Sequence, residues 1–192
     1  MPFQRPKERE PVREAGLFEY AVATLARKMR TVRDLRRLMR ARAEPGDAGE
    51  QAMDAVIARL TELNYLSDTR FAADYTRLRK ENQKFGQRRV QQDLVQKGVS
   101  KELIASTIAT AYEDVDEVAL ARAYCEKKRI KQPGGADVSS DDVQKETVRL
   151  MNRLVRAGFS SNAIFKLLRS WKVTTEVEEP DDEPADGDRP ES

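Results

Sequence analysis

Leu94-Val95-Gln96-Lys97-Gly98-Val99-Ser100 and, sixty positions on, Leu154-Val155-Arg156-Ala157-Gly158-Phe159-Ser160 are two copies of one pattern, continued by Ile104 and Ile164. In L-V-x-x-G-[VF]-S-x-x-x-I every named position has a local physical role. Leu and Val close a helix on its buried face. Gly98 and Gly158 supply the left-handed conformation that stops a helix. Ser100 and Ser160 are N-cap residues for the next helix. Val99 and Phe159 precede the cap and meet Ile104 and Ile164, the hydrophobic-staple spacing that fixes the angle between two helices. The pattern predicts a tight helix–turn–helix corner, used twice.

Working outward, a weaker third copy precedes these two. Arg33 lies five residues before Leu38, as Arg89 does before Leu94 and Arg149 before Leu154. After Leu38-Met39 comes Glu44-Pro45-Gly46-Asp47-Ala48-Gly49, a loop by composition. Met53, Val56, Ile57, Leu60 and Leu63 then recur at helical spacing, ending at Asn64, which tolerates a left-handed turn. Ser67 is the next N-cap, with Leu66 and Phe71 as a staple pair. Opening helices are predicted over Phe18–Arg30, Asp68–Glu81 and Glu117–Ile130, and a loop from Gln132 through Ser140. The expected fold is all-α: three tandem three-helix repeats over residues 16–66, 67–113 and 114–174, forming an elongated curved array. Residues 1–15 and the acidic tail, 175–192, read as disordered.

Composition agrees with this architecture. Of the 192 residues 39% are hydrophobic, 35% charged and 6% aromatic, a helix-favouring mixture with much solvated surface. No apolar run approaches the ~20 residues of a membrane span, and the polar N-terminus does not read as a secretory signal. With a single cysteine, Cys125, no internal disulfide forms, and the expected location is the cytoplasm. Histidine is absent, which excludes His-based acid–base chemistry and, with one Cys, a structural zinc site. No Walker-type phosphate loop occurs. The expectation is a protein without catalytic residues or cofactor.

A net charge of +2 conceals an asymmetry: from Thr175 onward there are nine acidic residues and one Arg, so the body carries net +10 and the tail net −8. A basic body points to an anionic partner. The basic residues concentrate on the second helix of each repeat. Arg33, Arg36, Arg37 and Arg40 share one helix side at spacings of three and four. Arg88 and Arg89 begin the corresponding helix, with Lys84 just before, and Arg149, Arg153 and Arg156 line the third; Arg33, Arg89 and Arg149 at equivalent positions of stacked repeats would make a continuous stripe. Guanidinium groups suit phosphate and carboxylate alike, while a purely solvated face is the plainer account of any one cluster. Tyr20, Tyr65, Phe71, Tyr75, Tyr112 and Tyr124 fit core positions better than base-stacking platforms, Cys125 reads as a buried small residue, and Trp171, which ends the last helix, as a cover for the end of the array. The tail reads as a solvated end or an electrostatic gate.

Leu60-Thr61-Glu62-Leu63-Asn64-Tyr65-Leu66-Ser67-Asp68-Thr69-Arg70-Phe71-Ala72 resembles a signature of the bacterial RecX family of recombination regulators, as does Phe85-Gly86-Gln87-Arg88-Arg89-Val90 followed by Leu94 and Lys97-Gly98-Val99. Tyr20-Ala21, Leu25, Arg33 to Leu38 and Gly158-Phe159-Ser160 fit the same family, so the resemblance covers about residues 17–171. Asn64 stands where the family usually has Gly, and Gln87 where it has Pro; the Glu44–Gly49 loop and the acidic tail are not family features. The resemblance implies a curved rod of three repeats that lies in the groove of the RecA filament on single-stranded DNA. It implies a protein that suppresses recombinase activities and tunes recombination, repair and SOS signalling; a monomer without membrane association is the expectation. The ten arginines and lysines above would then be the filament contacts. A direct DNA-binding protein of helix-turn-helix type is the alternative, although its basic residues would cluster on one recognition helix. A nuclease would need a cluster of metal-binding carboxylates that the sequence does not offer.

Overall fold

The computed structural model describes residues 13–134 and 139–171, and within them every regular element is an α-helix. In chain order these are α1 (Glu14–Arg27), α2 (Val32–Arg40), α3 (Asp47–Glu62), α4 (Asp68–Gln83), α5 (Gln87–Lys97), α6 (Lys101–Tyr112), α7 (Glu117–Lys127), α8 (Ser140–Arg156) and α9 (Ser161–Ser170). α1 starts at Glu14, within the segment expected to be disordered; residues 1–12 of that segment, and the acidic tail, lie outside the described residues. The predicted loop at Glu44–Gly49 is shorter than its composition suggests, because α3 already begins at Asp47. Ser140, expected in a loop, is the first residue of α8, capped by Ser139.

The turn pattern folds as its residues dictate. Gly98 and Gly158 have φ of 77° and 92°. The N–H groups of Val99 and Phe159 donate to the carbonyls of Leu94 and Leu154 at 3.2 Å, the six-residue bond of a Schellman turn. Ser100 and Ser160 then accept from the N–H groups of Leu103 and Ala163. Val99, Ile104, Phe159 and Ile164 are all buried. Asn64 (φ 59°) ends α3 in the same way, with Tyr65 N–H on the Leu60 carbonyl, and Ser67 accepts from Arg70 N–H. Arg129 (φ 51°) ends α7 likewise, a turn its sequence does not announce. One expectation fails: Leu94 and Leu154 are fully buried, but Val95 and Val155 are more than half exposed. The residue after the last buried Leu has rotated by about 100° on a 3.6-residue helix and points to solvent. Leu63 and Tyr65 are exposed too, since both follow the last buried turn of α3.

The described residues belong to two compact units, one reaching to Asn82 and including Val90–Asp114, the other combining Gln83–Arg89 with the residues from Val115 onward. In the first, Leu17, Ala21, Leu35, Met39, Met53, Val56, Leu60 and Leu66 form a continuous core in which α1 and α2 pack on α3. α4 is held to α5 by a buried polar group: Asp93 is 5% exposed, lies 3.1 Å from the Arg79 guanidinium and accepts from the Tyr75 hydroxyl. In the second unit Tyr124, Cys125, Leu150, Leu154, Phe159, Ile164, Leu167 and Leu168 form the core, with Phe85 and Trp171 packed against it. Burial pushes the Cys125 thiol up to about 11, so it is a neutral core residue at physiological pH.

Each unit contains the same junction. In the first, the Thr31 hydroxyl, which also caps α2, donates to the Lys97 carbonyl at 2.8 Å, and the Arg33 guanidinium lies across Gly98 and donates to the Gln96 carbonyl. In the second, Gly86 and Arg88 N–H donate to the carbonyls of Ala157 and Gly158 at 3.0 and 3.3 Å. The start of one repeat's second helix therefore seats on the glycine turn that ends the second helix of the next. The repeated glycine serves twice, as helix stop and as the surface on which a backbone or guanidinium rests.

Candidate nucleic-acid interface

The helix caps and the buried positions set the register between repeats. Thr31 and Gly86 occupy the turn before α2 and α5, and Leu35 and Met39 are the buried pair that corresponds to Val90 and Leu94, and to Leu150 and Leu154. This register corrects the alignment of the first copy by one residue. The counterpart of Arg33 is Arg88, not Arg89, and in the third repeat it is Val148. The counterpart of Arg89 and Arg149 is Asp34. A row of arginines at one equivalent position in all three repeats is thus not what the fold contains: Arg89 is half-buried with its guanidinium 5.9 Å from the Phe85 ring, while Arg149 is exposed.

On the first unit the expected cluster is brought together. Arg33, Arg36, Arg37 and Arg40 line one open concavity of about 500 Å³ with Asp34, Gln96 and Lys97. The helix spacing does part of this, leaving Leu35 and Met39 on the buried side. The junction does the rest, delivering Lys97 from the end of α5. Charge spacing along one helix does not single out Lys97; its signal in the sequence is its position next to Gly98 in the repeated turn. The four arginines are not equally available. Arg37 is 72% exposed, with one loose contact of 3.5 Å to Asp34. Lys97 shares that carboxylate at 3.6 Å. Arg36 is held by Glu50 at 3.0 Å and by Asp54, and Arg40 by Glu50 at 3.0 Å. Arg33 is engaged at the junction.

On the second unit Arg149, Arg153 and Arg156 are exposed along α8 at spacings of four and three, opposite buried Thr147, Leu150 and Leu154. Arg88 is exposed at the start of α5, whereas Lys84 is only partly exposed and sits in a left-handed turn (φ 57°). Of the aromatics, Phe71 and Tyr124 are buried, Tyr20, Tyr75 and Tyr112 are partly buried, and Tyr65 is an exception at 61% exposed. Tyr65 lines a small cavity of about 80 Å³ with Met29, Arg30 and Arg70. Among the described residues no three Cys, Asp or Glu side chains gather in a way that would hold a metal ion, and no helix is long and apolar enough to cross a membrane.

Residues 67–108 match the family model described as RecX, second three-helix domain. The regulatory protein RecX of Shigella dysenteriae is 31% identical over 163 residues, which cover 82% of this chain and 92% of that protein. The chain belongs to the RecX family. The regulatory protein RecX of Halalkalibacterium halodurans is 26% identical over 84% of this chain, but the match spans only 57% of that longer relative. The crystal structure of RecX from Lactobacillus salivarius superposes with a TM-score of 0.60 at 17% identity, covering 84% of this chain and 97% of that one; this likeness concerns the fold. RecX proteins are regulators by name, and this chain is a RecX-family regulatory protein.

Proposed function

We propose that this chain regulates, chiefly by inhibition, the RecA recombinase by occupying the RecA–single-stranded DNA filament, as a cytoplasmic monomer of three three-helix repeats without chemistry of its own. The observation that carries the reading is the exposed basic concavity of α2 and Lys97 in a chain of the RecX family. Positive side chains gathered by a rigid helix junction suit a phosphate backbone, where several point contacts give affinity without reading bases. The exposed arginines of α8 extend the set to a second unit. The test is co-sedimentation with RecA filaments on single-stranded DNA, together with the recombinase ATPase and strand exchange. The protein should pellet with filaments and suppress both activities, and Arg37→Ala/Arg40→Ala should weaken pelleting and suppression together while the melting temperature holds. Full suppression by that folded variant would remove α2 from the interface. Tight binding to bare DNA with no effect on the recombinase would favour the helix-turn-helix alternative instead.

A further inference from the structure

The concavity on α2 carries its own competitor. Glu50 and Asp54 stand one helical turn apart on the first half of α3, so both carboxylates face the same way. That direction is α2: Glu50 accepts from Arg36 and Arg40, and Asp54 accepts from Arg36. Their placement is not accidental to a flexible loop. Gly49, buried in the first turn of α3, passes so close to Glu44 that an added Cβ would lie 1.8 Å from the Glu44 carbonyl oxygen, and this close fold-back fixes where Glu50 emerges. The Glu50 and Asp54 side chains remain substantially exposed, 44% and 62%, as does that of Arg40 at 61%, and Arg36 keeps 30%. Water-exposed pairs of this kind are individually weak and exchangeable. A phosphate arriving at the concavity can displace them, but only by taking Arg36 and Arg40 away from partners they already have.

We propose that Glu50 and Asp54 act as built-in phosphate mimics that compete with nucleic acid for Arg36 and Arg40 and so lower the affinity of this site for single-stranded DNA. This rests on the reading of α2 as a phosphate-contacting face. Arg37 and Lys97, which share only the looser contacts to Asp34 at 3.5 and 3.6 Å, are then the more readily recruited cations, and Arg36 and Arg40 are recruited against Glu50 and Asp54.

The experiment measures binding of the full-length protein to a labelled oligothymidylate of about 16 nucleotides, across a range of salt. Glu50→Gln/Asp54→Asn keeps side-chain size and hydrogen-bonding capacity but removes both charges. It should bind several-fold more tightly at low salt. Its plot of log affinity against log salt should steepen by up to about 1.4, the slope expected when two more single-strand phosphates are neutralised. The gain should disappear in an Arg36→Ala/Arg40→Ala background. Unchanged affinity and slope in the charge-neutral variant overturns the proposal, and so does a gain that persists without Arg36 and Arg40, because net charge alone would then explain it. Arg37→Ala, which touches neither Glu50 nor Asp54, reports on the underlying reading: if it weakens binding while Glu50→Gln/Asp54→Asn changes nothing, the interface stands and the competition falls. Thermal melting of each variant confirms that folded proteins are compared.

Discussion

At Gly98 and Gly158 the same backbone conformation meets different neighbours. Both have positive φ, and an L residue there is strained by about 1–2 kcal/mol. A Cβ on Gly98 would meet the Arg33 side chain at 2.2 Å, which can swing away at the cost of its bond to the Gln96 carbonyl. A Cβ on Gly158 would meet the Arg89 amide nitrogen at 2.2 Å, and a backbone held by two hydrogen bonds cannot swing. Gly98→Ala should therefore cost about 1–2 kcal/mol, and Gly158→Ala distinctly more. Chemical denaturation of both variants checks the order, and equal losses would contradict the junction described for the second unit. Asp68 gives a second residue-scale prediction. Its carboxylate accepts from Val32 N–H at 2.9 Å, yet its burial raises its pKa more than that bond lowers it. A carboxylate whose folded-state pKa is raised stabilises the fold most when protonated, and that contribution is lost as pH rises through the folded-state value. Asp68→Asn keeps an acceptor for Val32 and removes the charge. It should be neutral or stabilising at pH 7, with the difference from wild type shrinking as pH falls below the carboxylate range. A melting-temperature series from about pH 3 to 7, which brackets carboxylate titration, would refute this if Asn were as destabilising at neutral pH as Ala.

At the scale of the element, the buried Asp93 group shows why α4 and α5 adopt one arrangement. The two helices bury few apolar side chains, Phe71 and Ala72 on α4 and Val90 and Leu94 on α5, and Arg79, Tyr75 and Asp93 link them directly. Removing one partner of a buried pair leaves the other uncompensated, at about 3–5 kcal/mol. Since Arg79 retains 27% exposure, Asp93→Ala should fall near the lower end, about 3 kcal/mol. Urea denaturation measures it, and a loss under about 1 kcal/mol, the size of a surface pair, would mean that the group is solvated. None of this is legible in sequence, where Asp93 is one polar residue among several on α5. What is legible there is whatever one turn of chain decides by itself. The glycine stop, serine cap and flanking Val or Phe are all local, and they fold as read at Gly98 and Gly158. The first copy is misaligned by one residue in sequence because α2 ends at Ala41 in a right-handed conformation, without a glycine to anchor the alignment, leaving only the arginine spacing. Lys97, Glu50 and Asp54 escape a sequence reading for a related reason: each reaches the charged side chains of α2 from another helix, and helical periodicity speaks only about neighbours along one axis.

For the whole molecule, the functional question is how exposed cations on two compact units combine. Arg37 and Arg40 belong to the first unit, Arg149 and Arg153 to the second, and all four are exposed on the side of their helix away from its buried Leu or Met positions. On the proposed function the partner is a filament, which repeats along its length and so offers each set a contact of its own. The second contact is then made at the effective concentration set by the chain, so that two weak sites yield an avidity ~10²-fold or more above either. Arg37→Ala/Arg40→Ala and Arg149→Ala/Arg153→Ala should each lower co-sedimentation with RecA filaments only several-fold. The four-site variant should lose nearly all of it and with it inhibition of the ATPase. Its binding should also respond less steeply to salt, by roughly 0.7 in log–log slope for each single-strand phosphate that no longer meets a cation. Stability should hardly change, because exposed charges of this kind contribute about 0–1 kcal/mol each, and melting of the same samples verifies it. If the four-site variant remains folded and still pellets and inhibits like wild type, both arginine sets are solvated helix faces. Recognition would then have to lie on another surface, for which exposed Tyr65 with Met29 and Arg70 is the next place to mutate.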